Sequence, residues 1–181
     1  LEEAGKKVWL IGNIGKPALD VLNEVKPEDY VVYELSSFQL WDLEKSPHIA
    51  VVLFIEQEHL NVHKDMAEYV TAKANIAKFQ NSDDLLVYNK SNKYCNEIAA
   101  VSQANTIGYQ DDLSAHVKEG HFYYGEQKIC SIDTLQLTGI HNLDNACAAI
   151  DAVWNITNDC DIIERGLHKF QGLPHRLQFV K

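Results

Sequence analysis

Short runs of apolar residues alternate with stretches of helical character along the first 108 positions of this chain. A strand is apolar along its whole length only when both faces of its sheet are covered, which is the environment of strands in parallel sheets flanked by helices. Five runs fit that description, at residues 7–11, 30–35, 49–55, 84–88 and 104–108. Helices are predicted at residues 18–25, 66–79, 92–101, 142–155 and 161–169. The fold class is therefore α/β, with a mostly parallel sheet.

The stretch at 114–137 has a different pattern. Its apolar segments, at 117–118, 122–124 and 128–132, are separated by Glu119-Gly120 and Gly125-Glu126. Such pairs, each with one glycine, favour tight hairpin turns, so a small antiparallel ribbon is predicted. A last run at 177–180 predicts a strand that begins as the chain stops. We place a domain boundary before it, with one domain at 1–172 and the start of a second at 173–181.

Charge and composition exclude several classes of partner. The 26 acidic against 16 basic residues, a net charge of −10, argue against nucleic acid and against an anionic membrane surface. No apolar run approaches the roughly 18 residues that span a bilayer. The four cysteines are scattered and form no C-x-x-C pair, which is typical of buried thiols in a reducing compartment, and a cytoplasmic location is expected. Because the chain starts at Leu1 and its only methionine is Met66, we expect a piece of a longer translation product.

Three polar segments follow directly after predicted strands, where α/β sheets bind their ligands. The first, at 12–17, is a glycine turn whose backbone a ligand can approach; a plain strand–helix turn is the alternative. The second begins at Glu34, a carboxylate at the end of a run expected to be buried, where carboxylates are usually paired or bound to metal. The third, at 56–63, mixes carboxylate, imidazole and amide groups that suit a divalent metal, or else forms a solvated loop.

Lys73 is the least expected residue of the predicted helix at 66–79. It lies three or four positions from Tyr69, Val70, Ile76 and Ala77, on the apolar face of that helix. One interpretation is snorkelling, with a buried stem and a solvated ammonium group. The other is a desolvated, neutral amine that is nucleophilic.

Two further segments contain candidate ligand-binding residues. His141 and Asn142 begin a predicted helix, where either residue can cap the helix or bind a ligand edge. Arg176 follows Gly172-Leu173-Pro174 in a rigid turn at the proposed domain boundary, as a surface residue or as a clamp on phosphate.

Six motifs together resemble the Mur ligase family, and within it the member that adds D-glutamate. The motifs, which extend over almost the whole chain, are GNIGKPAL (12–19), ELSSFQL (34–40), EHLNVH (58–63), YVTAKANI (69–76), GIHNLDNACAA (139–149) and FQGLPHRLQ (170–178). The resemblance implies the family's central, P-loop-NTPase-like ATP-binding domain.

It also implies a chemistry. ATP would phosphorylate the carboxylate of UDP-MurNAc-L-alanine, and the amine of D-glutamate would attack the acyl phosphate, with Mg²⁺ assisting phosphoryl transfer. The full-length enzyme would be a monomer. By matching position, Glu34 and His59 would ligate magnesium, and Lys73 would be carbamylated and hold a second magnesium. The remaining implied roles are contacts with the uridine-linked substrate for Asn13, Ser36, Ser37 and Gln39, with adenine for Asn142, and with ATP for Arg176.

The chain departs from the family pattern in two places. No segment matches the phosphate-binding pattern G-x-x-x-x-G-K-[ST], and where the family's metal loop has Asn-x-x-x-Asp-His-x-Asp this chain has Phe54, Glu58, His59 and Asn61. A ligase fragment that is inactive alone is our first interpretation. Another Mur or folylpolyglutamate-type ligase, and a non-catalytic binding domain derived from the fold, are the alternatives.

The missing phosphate loop leads to a first prediction. The isolated 181-residue chain should bind ATP weakly or not at all, because backbone amides and a lysine of that loop normally hold the β- and γ-phosphates. Titration calorimetry of this chain with MgATP measures the affinity directly. A micromolar dissociation constant would contradict the prediction.

Overall fold

The computed structural model describes residues 1–56 and 63–172 of the chain. Its strands are β1 (Val8–Gly12), β2 (Tyr30–Glu34), β3 (Ile49–Val52), β4 (Leu85–Tyr88), β5 (Asn105–Gly108), β6 (Ala115–Lys118), β7 (His121–Tyr124) and β8 (Gln127–Ser131). Its α-helices are α1 (Ala18–Val21), α2 (Ser37–Leu40), α3 (Met66–Lys78), α4 (Lys93–Ala99), α5 (Ile140–Val153) and α6 (Cys160–Lys169). Single 3₁₀ turns occur at Glu2–Ala4 and Ile132–Thr134. None of the helices in these described parts has the length and hydrophobicity that a bilayer-spanning helix requires.

The strands form three sheets. β1 and β2 pair in parallel, and β3, β4 and β5 form a second parallel sheet in that order. β6, β7 and β8 form an antiparallel sheet with a bulge between Phe122 and Tyr123. The predicted α/β class, the parallel pairing and the small antiparallel ribbon are confirmed. The parallel strands are divided between two sheets, which the apolar pattern alone did not indicate.

The β3–β4–β5 sheet is covered on both faces. Along β4, Leu85 and Val87 pack in a cluster with buried residues of α5, whereas Leu86 packs in a second cluster with residues of α3 and α4. Each buried Leu or Val of this kind contributes about 1.5–3 kcal/mol relative to an exposed one. This sheet is therefore the centre of the fold, as the uninterrupted apolar runs predicted.

The expected burial of β2 is wrong for the described part of the chain. Val31, Val32 and Tyr33 are 46%, 44% and 43% exposed, and Leu10 on β1 is 44% exposed. Among the described residues, no other element covers this surface closely enough to bury these side chains. An apolar run predicts that a strand will be buried, but tertiary structure determines which element buries it.

Helix positions agree with the sequence patterns, and helix ends differ by a few residues. The helix predicted at 18–25 is a single turn, α1, and the tight helix α2 was not predicted. Three of the longer helices begin at side chains that accept backbone N–H groups: Asp65 for α3, Asn92 for α4 and Asp159 for α6. The predicted strand at 177–180 and the predicted second domain at 173–181 lie outside the described residues.

A buried carboxylate connects α5 to the antiparallel sheet. Asp151 on α5 is 0% exposed, and its Oδ1 accepts the backbone N–H of Ala115 at 2.8 Å. Its Oδ2 is buried without a hydrogen-bond partner in the described structure. Burial raises the pKa of Asp151 to about 7, against smaller opposing effects of the Ala115 N–H and His116. The carboxylic acid form of Asp151 is therefore favoured by folding.

The second prediction concerns this carboxyl group. Its pKa is higher in the folded than in the unfolded chain, so the contribution of Asp151 to the free energy of unfolding should fall as pH rises from about 4 to about 7, by up to about 1.4 kcal/mol per pH unit. Asp151→Asn keeps the Oδ1 acceptor and cannot ionise. The variant should exceed the wild type at pH 8 by on the order of 2–4 kcal/mol, with the difference closing near pH 4. Urea unfolding across this pH range measures the difference.

Asp112→Asn, at an exposed position, is the matched control and should leave the pH dependence unchanged. An Asp151→Asn protein that is less stable than the wild type at pH 8 would contradict the assignment.

Candidate functional site at the strand ends

The carboxyl ends of β1 and β2 lie side by side. Gly12 is paired with Glu34 in the parallel register, and the backbone N–H of Asn13 donates to the Glu34 carbonyl at 3.1 Å. Asn13 is exposed, at the start of the glycine turn. Two of the three predicted polar segments are thus in direct contact at one edge of the β1–β2 sheet.

Gly12 makes this close approach of the two strands feasible. Its φ is +105°, and a Cβ atom there would lie 2.1 Å from the Glu34 carbonyl oxygen and 2.7 Å from the Tyr33 ring. Both the backbone conformation and the lack of space exclude a side chain. Gly12 is therefore required for the close approach of β2, the strand whose last residue, Glu34, carries the candidate carboxylate.

Glu34 has a carboxylate oxygen that lacks a partner. The residue is half-buried, and its Oε2 is buried without a hydrogen bond in the described structure. A buried carboxylate oxygen in this state carries a desolvation cost that a cation or a donor would offset. The prediction that Glu34 is more than a loop cap is consistent with this geometry.

Helix α2 follows Glu34 and has a complete capping box. The Ser36 side chain accepts the Gln39 N–H, and the Gln39 side-chain oxygen accepts the Ser36 N–H at 2.9 Å. Ser36 is half-buried and Gln39 is exposed, so both stay accessible at the helix start. Ser37 is only 2% exposed, and its hydroxyl is 2.9 Å from Nε2 of His63.

His63, which the sequence gave no individual role, is the centre of an aromatic cluster. Its ring stacks on Trp41 at 4.7 Å and on Phe38 at 5.5 Å between centroids, and meets Tyr69 edge-on at 5.2 Å. The only signal in the sequence was the aromatic character of the segment after Ser37, at a spacing of three residues. A contact between positions 26 apart along the chain leaves no local pattern.

Lys73 lies on α3 between buried neighbours, as predicted. Tyr69, Val70 and Ala77 are buried, Lys73 is half-buried, and its Nζ lies 5.1 Å from the centroid of the Tyr69 ring. The structure therefore brings Lys73, Tyr69, His63 and Ser37 into one continuous chain of contacts.

The loop after β3 is only partly described. Asn92 anchors its first part, since the Asn92 amide donates to the Ile55 carbonyl at 2.8 Å while its oxygen caps α4. His59, Glu58 and Asn61 lie outside the described residues, and so does Arg176. Their predicted roles in metal and ATP binding stay predictions.

Asn142 lines a cavity of about 750 Å³ between α5 and α6. Its amide nitrogen donates to the Thr138 carbonyl at 2.7 Å, while Gly139, with φ +101°, caps the helix without a side-chain hydrogen bond. The cavity wall is mainly apolar, with the polar residues Thr138, His141 and Asn145 also on it. A wall of this composition suits an apolar or aromatic ligand with a few polar edges.

Residues 1–153 match the family model described as the Mur ligase middle domain. This chain belongs to that family. A curated relative from Clostridium tetani, named UDP-N-acetylmuramoylalanine–D-glutamate ligase, is 37% identical over all of this chain and 40% of its own length. One of the same name from Acetivibrio thermocellus is 38% identical, with the same coverage. The chain thus spans about 40% of the length of the curated relatives that it matches.

Solved structures of Mur ligases have the same fold. The Neisseria ligase that acts on UDP-N-acetylmuramate and L-alanyl-γ-D-glutamyl-meso-diaminopimelate has a TM-score of 0.73 at 16% identity, covering 97% of this chain and 61% of that one. The MurF ligase of Thermotoga maritima, solved with ADP, has a TM-score of 0.64 at 16% identity, covering 99% and 52%. At these identities the likeness establishes the middle-domain fold alone, which agrees with the family resemblance of the motifs.

Few candidate metal donors lie close together in the described parts of the chain. Within residues 1–56 and 63–172, no group of three or more His, Cys, Asp or Glu side chains is placed to hold a metal ion. The partnerless Glu34 oxygen is the one observation here that fits a hard cation, which prefers oxygen ligands. A carbamate on Lys73 would add a second oxygen donor that the unmodified lysine lacks.

The third prediction concerns Gly12 in the turn of this middle domain. Gly12→Ala should lower the free energy of unfolding by on the order of 3 kcal/mol, the sum of a forbidden φ and of a steric clash with Glu34. Gly5→Ala is the matched control, because Gly5 also has a positive φ, +71°, but nothing within 4 Å of the added Cβ. The control should cost about 1 kcal/mol in urea unfolding. Equal losses for the two variants would show that Gly12 is not needed for the approach of the strands.

Proposed function

We propose that the whole protein is an ATP-dependent amide ligase of peptidoglycan precursor synthesis that adds D-glutamate to UDP-MurNAc-L-alanine. The observation that carries the proposal is the 37–38% identity, over all of this chain, with relatives that bear the name of that ligase. The proposed reaction forms an acyl phosphate and ADP from the substrate carboxylate and ATP. The D-glutamate nitrogen then forms the amide bond, and inorganic phosphate leaves.

The proposed metal ligands are Glu34, His59 and a carbamate on Lys73. When bound, Mg²⁺ would neutralise the charge that develops on the transferring phosphoryl group. The partnerless Glu34 oxygen supports its part in this set, and the backbone contact with Asn13 fixes the strand end that carries it. Lys73 is half-buried beside the buried residues Tyr69, Val70 and Ala77, which supports a role other than that of a fully solvated surface lysine.

The proposed substrate contacts are Asn13, Ser36, Ser37 and Gln39. Asn13 and Gln39 are exposed and Ser36 is half-buried, at adjacent strand and helix ends, which supports binding of the uridine-linked substrate there. Ser37 differs because its hydroxyl is buried against His63. A contact of Ser37 with the substrate therefore depends on its backbone or on a rearrangement of that hydrogen bond.

The proposed nucleotide contacts are Asn142 and Arg176. The α5–α6 cavity supports adenine binding near Asn142, since about 750 Å³ lies in the range of small-molecule sites and an apolar wall suits a purine ring. Residues 173–181 are proposed to begin the second domain, with Arg176 reaching ATP from the boundary. A cytoplasmic location and a monomeric full-length enzyme complete the proposal.

An assay of the full-length protein tests the function. The protein should release ADP only when MgATP, UDP-MurNAc-L-alanine and D-glutamate are all present, and the product should carry one additional glutamate by mass spectrometry. Acceptance of L-glutamate or of meso-diaminopimelate in place of D-glutamate would favour another Mur ligase. If the protein turns over no ATP with any of these amino acids, a non-catalytic domain would be favoured.

The fourth prediction is that Lys73 acts as a carboxylate donor. Full-length Lys73→Ala should lose at least about 100-fold in turnover, because a ligand of a charge-neutralising metal is missing. Added short carboxylic acids, such as acetate or formate, should restore part of the activity by occupying the space left by the carbamate. Short amines at the same concentration are the control and should not restore it.

Rescue of the Lys73→Ala enzyme by amines, or turnover close to that of the wild type, would show that the carbamate role is wrong.

A further inference from the structure

His63 is almost completely removed from solvent, although imidazole rings are usually found at least partly exposed. It is 1% exposed, and its surroundings are the aromatic rings of Phe38, Trp41 and Tyr69 together with the Ser37 hydroxyl. Burying an imidazole without need costs free energy, so a buried histidine with a specific hydrogen bond indicates a positional role.

The contacts of His63 join two separate parts of the site. On one side, Ser37 lies three residues after Glu34, in the first turn of the helix that follows β2. On the other side, His63 lies three residues before α3, and its ring touches Tyr69, over which the Lys73 amine is placed. The histidine therefore connects the strand end that carries Glu34 with the helix that carries Lys73.

The electrostatic surroundings of the ring favour one tautomer. The Glu68 carboxylate is 3.9 Å from Nδ1 and accepts the Lys64 N–H at 2.6 Å, and Nδ1 itself has no hydrogen-bond partner among the described residues. A carboxylate on this side favours a proton on Nδ1, which leaves Nε2 to accept the Ser37 hydroxyl proton. In this tautomer the Ser37 hydroxyl on α2 is the donor, and His63, just before α3, is the acceptor.

We propose that His63 is a positioning residue of the metal site: through Ser37 and Tyr69 it fixes the distance between Glu34 and Lys73. This inference rests on the proposed function, which makes those two side chains metal ligands. His63 itself touches neither the metal nor the substrates. Two ligands on separate elements bind one metal cluster well only if their elements are held in register, and the ring provides that register by stacking and by one buried hydrogen bond.

The test uses the full-length protein with two variants of the same hydrogen bond. His63→Phe keeps an aromatic ring against Phe38 and Trp41 and removes the hydrogen bond, and Ser37→Ala removes it from the other partner. Binding of Mn²⁺, as a stand-in for Mg²⁺, is measured by electron paramagnetic resonance in the presence of a non-hydrolysable ATP analogue. Both variants should weaken Mn²⁺ binding about five- to ten-fold, the effect of one hydrogen bond of about 1 kcal/mol or slightly more.

Three further measurements separate positioning from general stability. The double variant should bind Mn²⁺ no more weakly than either single variant, because both remove the same interaction. His63→Gln, which can still bond Ser37, should recover at least half of the lost affinity. In turnover, the kcat of His63→Phe should fall while its KM for UDP-MurNAc-L-alanine changes less than about two-fold.

His48→Phe is the matched control. His48 has a hydrogen bond of similar length, from Nδ1 to Asp84 at 2.8 Å, and it directly precedes the N-terminal end of β3. Loss of this hydrogen bond should not change Mn²⁺ binding. Wild-type Mn²⁺ affinity in His63→Phe or in Ser37→Ala, additive losses in the double variant, or no recovery in His63→Gln would each overturn the inference. If His63→Phe does not fold, Ser37→Ala decides alone.

Metal binding and the ligase reaction are read out separately. A wild-type protein that makes no amide product would overturn the proposed function, while the Mn²⁺ affinities would still decide the role of His63. Conversely, an active enzyme whose Mn²⁺ affinity is indifferent to the Ser37–His63 bond would overturn the positioning role and leave the function standing.

Discussion

Burial of the β3–β4–β5 sheet on both faces is the constraint on which the rest of the structure depends. Parallel strands need crossover connections, and α3 and α4 provide them on one face of the sheet, while α5 packs its apolar side on the other face. Once those helices are placed, the polar segments after the strands are placed too, because every crossover leaves the sheet at a carboxyl end. The positions of Lys73 and Asn142 follow from this packing, since Lys73 lies on α3 and Asn142 lies in the first turn of α5, and each of these helices covers one face of the sheet.

A few buried polar bonds add specificity to this apolar framework. Asp151 holds α5 to Ala115 of the antiparallel sheet, Asn92 holds the loop after β3 to α4, and Ser37 holds α2 to His63. Each joins elements that are distant in sequence, and each has little competition from water. Such bonds contribute modestly to net stability but strongly penalise alternative arrangements, because a shifted partner leaves a buried group unsatisfied.

The β1–β2 sheet stands in contrast to this framework. It carries Asn13 and Glu34 at its carboxyl end, yet much of its apolar surface is exposed in the described residues. Within the family, the matched relatives are about two and a half times as long as this chain, since the chain spans 40% of them. The proposed ligase activity, with its ATP and substrate sites, is accordingly a property that we assign to the whole protein.

The sequence alone determined the fold class, the order of the strands and the main helices, because apolar periodicity reports local burial directly. The conflict between their residue types and an otherwise apolar pattern singled out Glu34 and Lys73, and the family motifs implied their roles. Tertiary structure decided what no local pattern contains: the division of the parallel strands into two sheets, the exposure of Val31 and Val32, and the burial of Ser37. It also decided the surroundings of His63, whose partners come from α2 and α3, since a contact between residues 26 positions apart depends on how helices pack and not on either segment by itself.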